Sequence, residues 1–399
     1  MSGHDAMADI VIVGAGLVGL PLAQVLAAQG WQVVLLDAQG PAAASPVPAD
    51  TSLRHLQQRC TAVSLGTQRW FARHGLWSVL ADDAAPIRQV VVTHRGYFGT
   101  TRLQAEEMGV EALGHVLNNQ HLVDSLQPLM AESTVDHRRA ARVVAVRQQE
   151  ESVEVRLDGG ETLSARLLIA ADGVSSVVRE SVGITTRQVD YQQAAVLSML
   201  QLVDGHEDVA HERFTDSGPL ALLPRTGPYM NVVDCIDSGQ QAEMSSLDDA
   251  EYLARLQDRF GYRLGRFAAV GPRLVLPLLR IEATAQSAPR ALLLGNAMRL
   301  LHPVGGQGFN LAMRDVECLV QLLSQQRDAD PGDARLLSAF VAARQADQQQ
   351  VVRFTDTLAR SFRGRASLPA HLRSAALLGL DTLTPLRRRF AGRTMGLSS

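Results

Sequence analysis

Residues 10–37 read IVIVGAGLVGLPLAQVLAAQGWQVVLLD. Ile10 to Val13 is a β-branched run suited to a buried strand, and GAGLVG follows it without a spacer. Leu20 to Gly30 then reads as a helix closed by a glycine, and Val33 to Leu36 as a second strand ending in Asp37. The order strand, turn, helix, strand, acid is that of a dinucleotide-binding βαβ unit. Gly14 permits the tight turn, Gly16 lets the backbone approach a pyrophosphate, and Gly19 lets the helix lie close on the strand. Phosphates would meet the free N–H groups at the helix N-terminus. Asp37 can accept hydrogen bonds from ribose hydroxyls, and an acid there disfavours a 2′-phosphate. The fingerprint does not separate NAD from FAD. Gly14, Gly16, Gly19 and Pro21 also interrupt the apolar run, which argues against a membrane span.

Two later segments repeat the design. RLLIAADGVSSVVRESVG, 166–183, is a buried strand, an Asp172–Gly173 turn and a helix start near Ser175 and Ser176. Alone, it reads more readily as a capped helix than as a ligand site. ALLLGNAMRLLHPVGGQGFNLAMRD, 291–315, is an apolar strand from Ala291 to Leu294, a loop with Gly295, Gly305, Gly306 and Gly308, and a helix from about Asn310. Many glycines before a helix suit a backbone approached by a large flat ligand, with N–H groups directed at its polar edge.

In this order and spacing the three segments resemble the flavin-dependent monooxygenases of the p-hydroxybenzoate hydroxylase type. QRCTAVSLGTQRWFARHGLW (58–77), ERFTDSGPLALLPR (212–225) and HPVGGQGFNLAMRDVECL (302–319) resemble the ubiquinone-biosynthesis hydroxylases within that group. The resemblance implies an α/β protein in which a Rossmann-like FAD-binding domain is interleaved with a β-sheet substrate domain, followed by C-terminal helices. The expected FAD-binding segments are residues 1–92, 113–184 and 283–345. The expected substrate-domain segments are 93–112 and 185–282, and the C-terminal helical region is 346–399. It further implies Gly14, Gly16, Gly19 and Asp37 at the ADP half of FAD, with Arg59 crossing over the cofactor. Asp172 is expected near the pyrophosphate, and Gly305, Gly306, Gln307, Gly308 and Asn310 along the isoalloxazine. Two positions depart from the family pattern. Asn296 follows Gly295 where an aspartate is usual, so an amide must make the ribityl contact. Gln120, in HVLNNQHLVDSL, stands where many relatives carry an arginine.

The chemistry so implied is ring hydroxylation of a polyprenylated phenol, 2-polyprenyl-6-methoxyphenol, by FAD and O2 through a C4a-hydroperoxyflavin. Electrophilic oxygen transfer demands an electron-rich ring, which a phenol supplies. The carbonyl of Pro303 is the expected contact of the substrate hydroxyl and the one catalytic assignment. His302 can act as a base near neutral pH, but an imidazole beside a loop is more often a structural hydrogen-bonder. Arg225 can attract a phenolate, yet all 38 basic residues are arginine, so a solvated surface position is expected for it. No second GxGxxG unit occurs, and the electron donor, NAD(P)H or another reductant, stays open. Two other readings are a flavin oxidase or reductase on another substrate, and a non-catalytic flavin-fold subunit of a quinone-synthesis complex. Asn296 and Gln120 motivate the latter.

At 399 residues and 46% hydrophobic composition the chain can bury two cores. A net charge of −3 gives no reason to expect nucleic acid. Cys60, Cys235 and Cys318 are odd in number and scattered, forming neither a disulfide framework nor a metal site; no metal is expected. MSGHDAMADI lacks the basic and apolar regions of a secretory signal, so a cytoplasmic protein is expected. GPAAASPVPADTS, 40–52, reads as a linker over the cofactor's entrance. From Arg360 onward eight arginines stand against the lone acid Asp381, among leucines in HLRSAALLGLDTLTPLRRRF. That segment is read either as a surface that docks on anionic lipid at the inner face of the cytoplasmic membrane, or as helices packing their leucines on the core.

Overall fold

The computed structural model describes residues 7–40, 59–326, 329–361, 378–379 and 381–396. The linker at 41–52 and the segment 362–377 lie outside them.

Ala8–Val13 forms the central strand of the first sheet, buried almost throughout. Its β-branched side chains fill both faces, as a parallel strand sandwiched between layers requires. It pairs in parallel with Thr162–Ala170 on one side (Ile10 opposite Leu167) and Val33–Leu36 on the other (Ile10 opposite Val33). The sheet runs Ser287–Ala288, Ala291–Leu293, Thr162–Ala170, Ala8–Val13, Val33–Leu36, Asp136–Arg138. Helices Gly19–Ala28, Asn119–Ala131 and Gln307–Gln325 cover one face through Leu22, Leu26, Leu126, Val316 and Leu319. The hairpin Val143–Gln148 and Val153–Leu157 is hydrogen-bonded antiparallel to the start of Thr162–Ala170 (Val153 opposite Ala165) and packs its valines with Val178 on the other face.

The second sheet is mostly antiparallel and is assembled from distant segments. Its order is Arg299–Leu300, Leu274–Ala283, Thr186–Leu202, Tyr229–Asp237, Gly218–Pro224, Val209–Thr215, Gln89–His94, Thr100–Gln104. Its outer face is sealed by the helix Asp249–Phe260 through Tyr252, Leu256 and Phe260. A small third sheet, Cys60–Ser64, Gly114–Asn118 and Ala85–Ile87, bridges the two.

The long helix Ala334–Ser361 is fixed through a buried polar cluster. Arg344 Nε donates to Asp315 Oδ1 at 2.7 Å, Gln348 Nε2 donates to the same oxygen at 3.0 Å, and Arg299 Nη2 donates to Gln348 Oε1 at 2.8 Å. Asp315 is almost fully buried, so removing either arginine would leave a desolvated charge short of partners. Among the described residues no helix is long and apolar enough to cross a membrane.

Candidate active site

The C-terminal ends of three parallel strands meet at one crevice. Gly14 follows Ala8–Val13, Asp172 follows Thr162–Ala170, and Gly295 follows Ala291–Leu293. A Cβ on Gly14, at φ +107°, would lie 2.4 Å from the Ala171 carbonyl oxygen, and one on Gly19 would lie 1.8 Å from the Gly14 oxygen. Both positions are glycine because the protein itself fills the space. Gly16 differs: no protein atom lies within 4 Å of where its Cβ would stand. The helix Gly19–Ala28 has no side-chain cap and no acid in its first turn, so its N-terminal amides face the crevice without an internal anion. Gly295, at φ +57°, closes the crevice, with its Cβ direction 3.2 Å from Val18 Cγ2. Asn296 beside it is exposed.

Asp37 terminates the second strand, half-buried, and its Oδ1 accepts from the Gln39 amide at 3.0 Å. Asp172 receives the Val178 amide on Oδ2 at 3.4 Å, while its Oδ1 is buried without a partner among the described residues. Burial pushes its carboxyl above the usual carboxylate range, against the hydrogen bonds from Ser176 and the helix amides. An uncapped helix end, open space over Gly16 and an orphaned carboxylate oxygen fit the phosphates and hydroxyls of a dinucleotide.

Sequence reasoning missed Arg179. It is buried, and its Nη1 and Nη2 donate to Ala297 O (3.0 Å) and Val174 O (2.8 Å), tying the turn after Asp172 to the turn after Gly295. Its only sequence signal is an arginine in the first turn of a helix otherwise apolar on that side.

The glycine loop lies further along. Pro303, Gly305 and Gly308 are exposed toward a cavity of about 580 Å³. Gly305 and Gly306 both have positive φ, +70° and +60°, and the helix begins at Gln307, earlier than expected. Asn310 does not present its amide to the cavity. Its Oδ1 accepts from Ser64 N (2.8 Å) and Thr67 Oγ1 (3.0 Å), and its Nδ2 donates to Ala62 O (2.8 Å) and Gly306 O (2.9 Å). All four hydrogen-bonding positions are taken, so Asn310 clamps the loop to the strand Cys60–Ser64. Gln307, also buried, donates to the Gly305 carbonyl at 3.0 Å. The Pro303 carbonyl, expected at the substrate hydroxyl, accepts the Gly306 amide at 2.9 Å because the chain makes a tight helical turn there.

His302 lies behind the loop. Val304 N donates to its Nδ1 at 3.2 Å, its ring meets Tyr191 edge-on at 5.0 Å, and burial lowers its pKa to about 4. It is therefore neutral and structural. Arg225 is not a solvated surface group: it is buried, with Nη2 paired to Asp83 at 2.9 Å, because Asp83 also receives the Asn118 amide and anchors that corner. Gln120 is exposed and donates to Asp124 at 2.8 Å, one helical turn away, while its own amide is capped by Asn118. Arg59 is exposed at the start of its strand, its carbonyl receiving the Asn119 amide.

The cavity separates the glycine loop from the inner face of the second sheet. Its walls are mainly aliphatic and aromatic: Val92, Leu103, Leu223, Val233, Phe354 and Phe390. Cys60 also lines it, but burial pushes the thiol up to about 11, so it offers no thiolate.

A dinucleotide cradle joined to a glycine loop over an apolar cavity defines a flavoprotein of the monooxygenase class. The FAD binding domain family model matches residues 7–355. The chain is 33% identical to the ubiquinone hydroxylase UbiL of Rhodospirillum rubrum over 396 residues, covering 98% of this chain and 90% of that protein. It is 28% identical to the 3-demethoxyubiquinol 3-hydroxylase of Escherichia coli, covering 98% of each. Among solved structures it superposes on p-nitrophenol 4-monooxygenase PnpA of Pseudomonas putida with a TM-score of 0.78 at 18% identity, over 98% of this chain and 99% of that one. HpxO of Klebsiella pneumoniae, complexed with FAD and uric acid, gives 0.74 at 17% identity, over 100% and 97%. The chain belongs to the FAD-dependent monooxygenases, in the family of the ubiquinone hydroxylases.

Proposed function

We propose that the chain hydroxylates the aromatic ring of a polyprenylated phenol, 2-polyprenyl-6-methoxyphenol, in ubiquinone biosynthesis, using FAD, O2 and electrons from NAD(P)H or another reductant. The observation that carries this reading is the apolar cavity of about 580 Å³ against the Pro303–Gly308 loop, sized and lined for a lipophilic phenol. Bound FAD supplies the oxygen activation. Gly14, Gly16 and Gly19 would take its pyrophosphate on backbone amides, Asp37 its ribose, and Arg59 and Gln120 its outer edge. Asp172, Gly295 and Asn296 would hold the middle of the cofactor, and Gly305, Gly306, Gln307 and Gly308 the ring edge, with Asn310 bracing the loop. Pro303 keeps one carbonyl lone pair for the substrate side. The aliphatic walls exclude water from the reacting ring.

The relatedness to named ubiquinone hydroxylases supports the substrate class. Purified protein loaded with FAD and supplied with O2, a reductant and a short-chain 2-prenyl-6-methoxyphenol should yield a product heavier by one oxygen, read by mass spectrometry. Reductant consumption with peroxide and no hydroxylated product would favour an oxidase. Failure to take up FAD would favour a non-catalytic subunit.

We also infer docking on anionic lipid at the inner face of the cytoplasmic membrane. Leu378, Leu383 and Leu386 are 52%, 56% and 50% exposed rather than packed on the core, and Arg388 and Arg389 beside them are exposed. An apolar and basic surface of this kind suits headgroup docking near a lipophilic substrate. Flotation with anionic vesicles, lost on Leu383→Ser with Leu386→Ser, tests it; equal flotation of parent and variant would exclude it.

A further inference from the structure

One carboxylate in the cavity wall has no partner among the described residues. Glu212 sits mid-strand in Val209–Thr215. The register across the sheet places Thr101, Val92, Glu212, Ala221, Val233, Leu197 and Leu274 in a single row. Every other member is aliphatic except the terminal threonine. Glu212 is the only carboxylate or basic side chain among the described residues of the cavity wall apart from His211. That histidine belongs to the opposite face by strand alternation, where its ring meets Phe260 edge-on at 5.3 Å. Two residues along the strand, Phe214 packs with Val92 on Val304 of the glycine loop, so Glu212 faces the cavity beside the loop.

A lone carboxylate in an aliphatic row costs folding free energy, which marks it as a candidate functional group. We infer that Glu212 is the acceptor for the phenolic hydroxyl of the substrate: its carboxylate receives the O–H hydrogen bond and takes the proton, leaving the electron pair on the phenol oxygen. The inference rests on the reading of the substrate as a phenol. A phenol oxygen so charged pushes electron density into the ring at the moment an electrophilic oxygen is transferred. The proton on Glu212 returns to solvent when the product leaves. This role complements Pro303, whose carbonyl is partly engaged by Gly306.

The surroundings suit such a group. Opposite Glu212 stand Val92 on one neighbouring strand and Ala221 on the other, neither titratable. Beyond them, Cys235 has its thiol pushed well up, first by burial and then by Asp234 and Glu212. From Ala334–Ser361 the cavity meets Phe354, Leu358 and Ser361, and from Thr384–Thr394 it meets Phe390, Ala391 and Thr394. No arginine lines it among the described residues. Burial alone pushes the Glu212 carboxyl up to about 7 from 4.5. The residue is half-buried and lines the cavity. A base near neutrality is better matched to a phenol than an ordinary carboxylate.

The test compares the FAD-loaded parent with Glu212→Gln and Glu212→Met. Infrared pH titration of the parent should show a protonated-carboxyl band disappearing with a midpoint near 7, missing from both variants. Hydroxylation of 2-prenyl-6-methoxyphenol should rise with pH through the same midpoint. Both variants should take up FAD normally, yet fall on the order of 100-fold in kcat and lose the ascending limb. Variants within two-fold of the parent, with the limb intact, would overturn the role of Glu212 while leaving the proposed function standing. A parent that takes up FAD and hydroxylates no phenol would overturn the proposed function, and this assignment with it.

Discussion

Arg179 Nη1 lies 3.0 Å from the carbonyl oxygen of Ala297, and this bond joins two turns separated by more than a hundred residues. The guanidinium is buried and its other arm holds Val174 O, so it has two backbone carbonyls as partners. Replacement by alanine leaves both carbonyls unpaired at roughly 1–3 kcal/mol each. Arg179→Ala should therefore melt several degrees lower and bind FAD more weakly. Arg179→Lys should recover little, because a single ammonium does not span two carbonyls as the planar fork does. Flavin fluorescence titration and thermal melts measure both effects.

The glycines of the first turn separate folding from cofactor binding. Gly19→Ala would drive a methyl to 1.8 Å from the Gly14 oxygen and should cost about 3 kcal/mol or more, with loss of soluble protein. Gly16→Val meets no protein atom within 4 Å of its Cβ position and should fold with near-normal circular dichroism while failing to take up FAD. A yellow Gly16→Val protein would refute the placement of the pyrophosphate.

Glu212 gives stability an unusual slope. Its folded pKa of about 7 exceeds 4.5, so the native state holds a proton that the unfolded chain has released. Its favourable contribution is complete below 4.5 and is lost as pH rises through 7. The shift corresponds to roughly 3 kcal/mol at most, reduced to about 1–2 by water entering the cavity. Glu212→Gln should thus melt higher than the parent at pH 8 and equally at pH 4.5, as calorimetry would read.

His302 acts in the opposite sense. Held neutral by burial, with its pKa lowered to about 4 from 6.5, it contributes stability above 6.5 that disappears as pH falls toward 4. The full shift is on the order of 3 kcal/mol. His302→Gln should flatten the acid limb of the melting profile while leaving FAD uptake at pH 7.5 unchanged, because the imidazole faces Tyr191 rather than the cavity.

The strand, turn and helix of each cradle were legible because each is written locally as apolar strand, glycine turn, helix, while the interleaving of the sheets was implied by the family resemblance of the three segments together. Val33–Leu36 coincides with the strand read from sequence for the same reason. Roles set by long-range register were not legible. Glu212 looks like a surface residue until Val92 and Ala221 are placed beside it, and Arg225 looks solvated until Asp83 comes within 2.9 Å. Asn310 is expected from sequence along the isoalloxazine, but its four bonds into Ala62, Ser64, Thr67 and Gly306 require the third sheet to be in place.

The strand Ala291–Leu293 enters the first sheet only after the chain has traversed most of the second. During synthesis, then, the nucleotide crevice lacks one wall until nearly three-quarters of the polypeptide has emerged, and Leu168–Ala170 waits with an unpaired edge. Nascent chains stalled before residue 291 should accordingly be protease-sensitive and colourless, with cofactor capture falling late in biogenesis and depending on chaperone shielding of that edge.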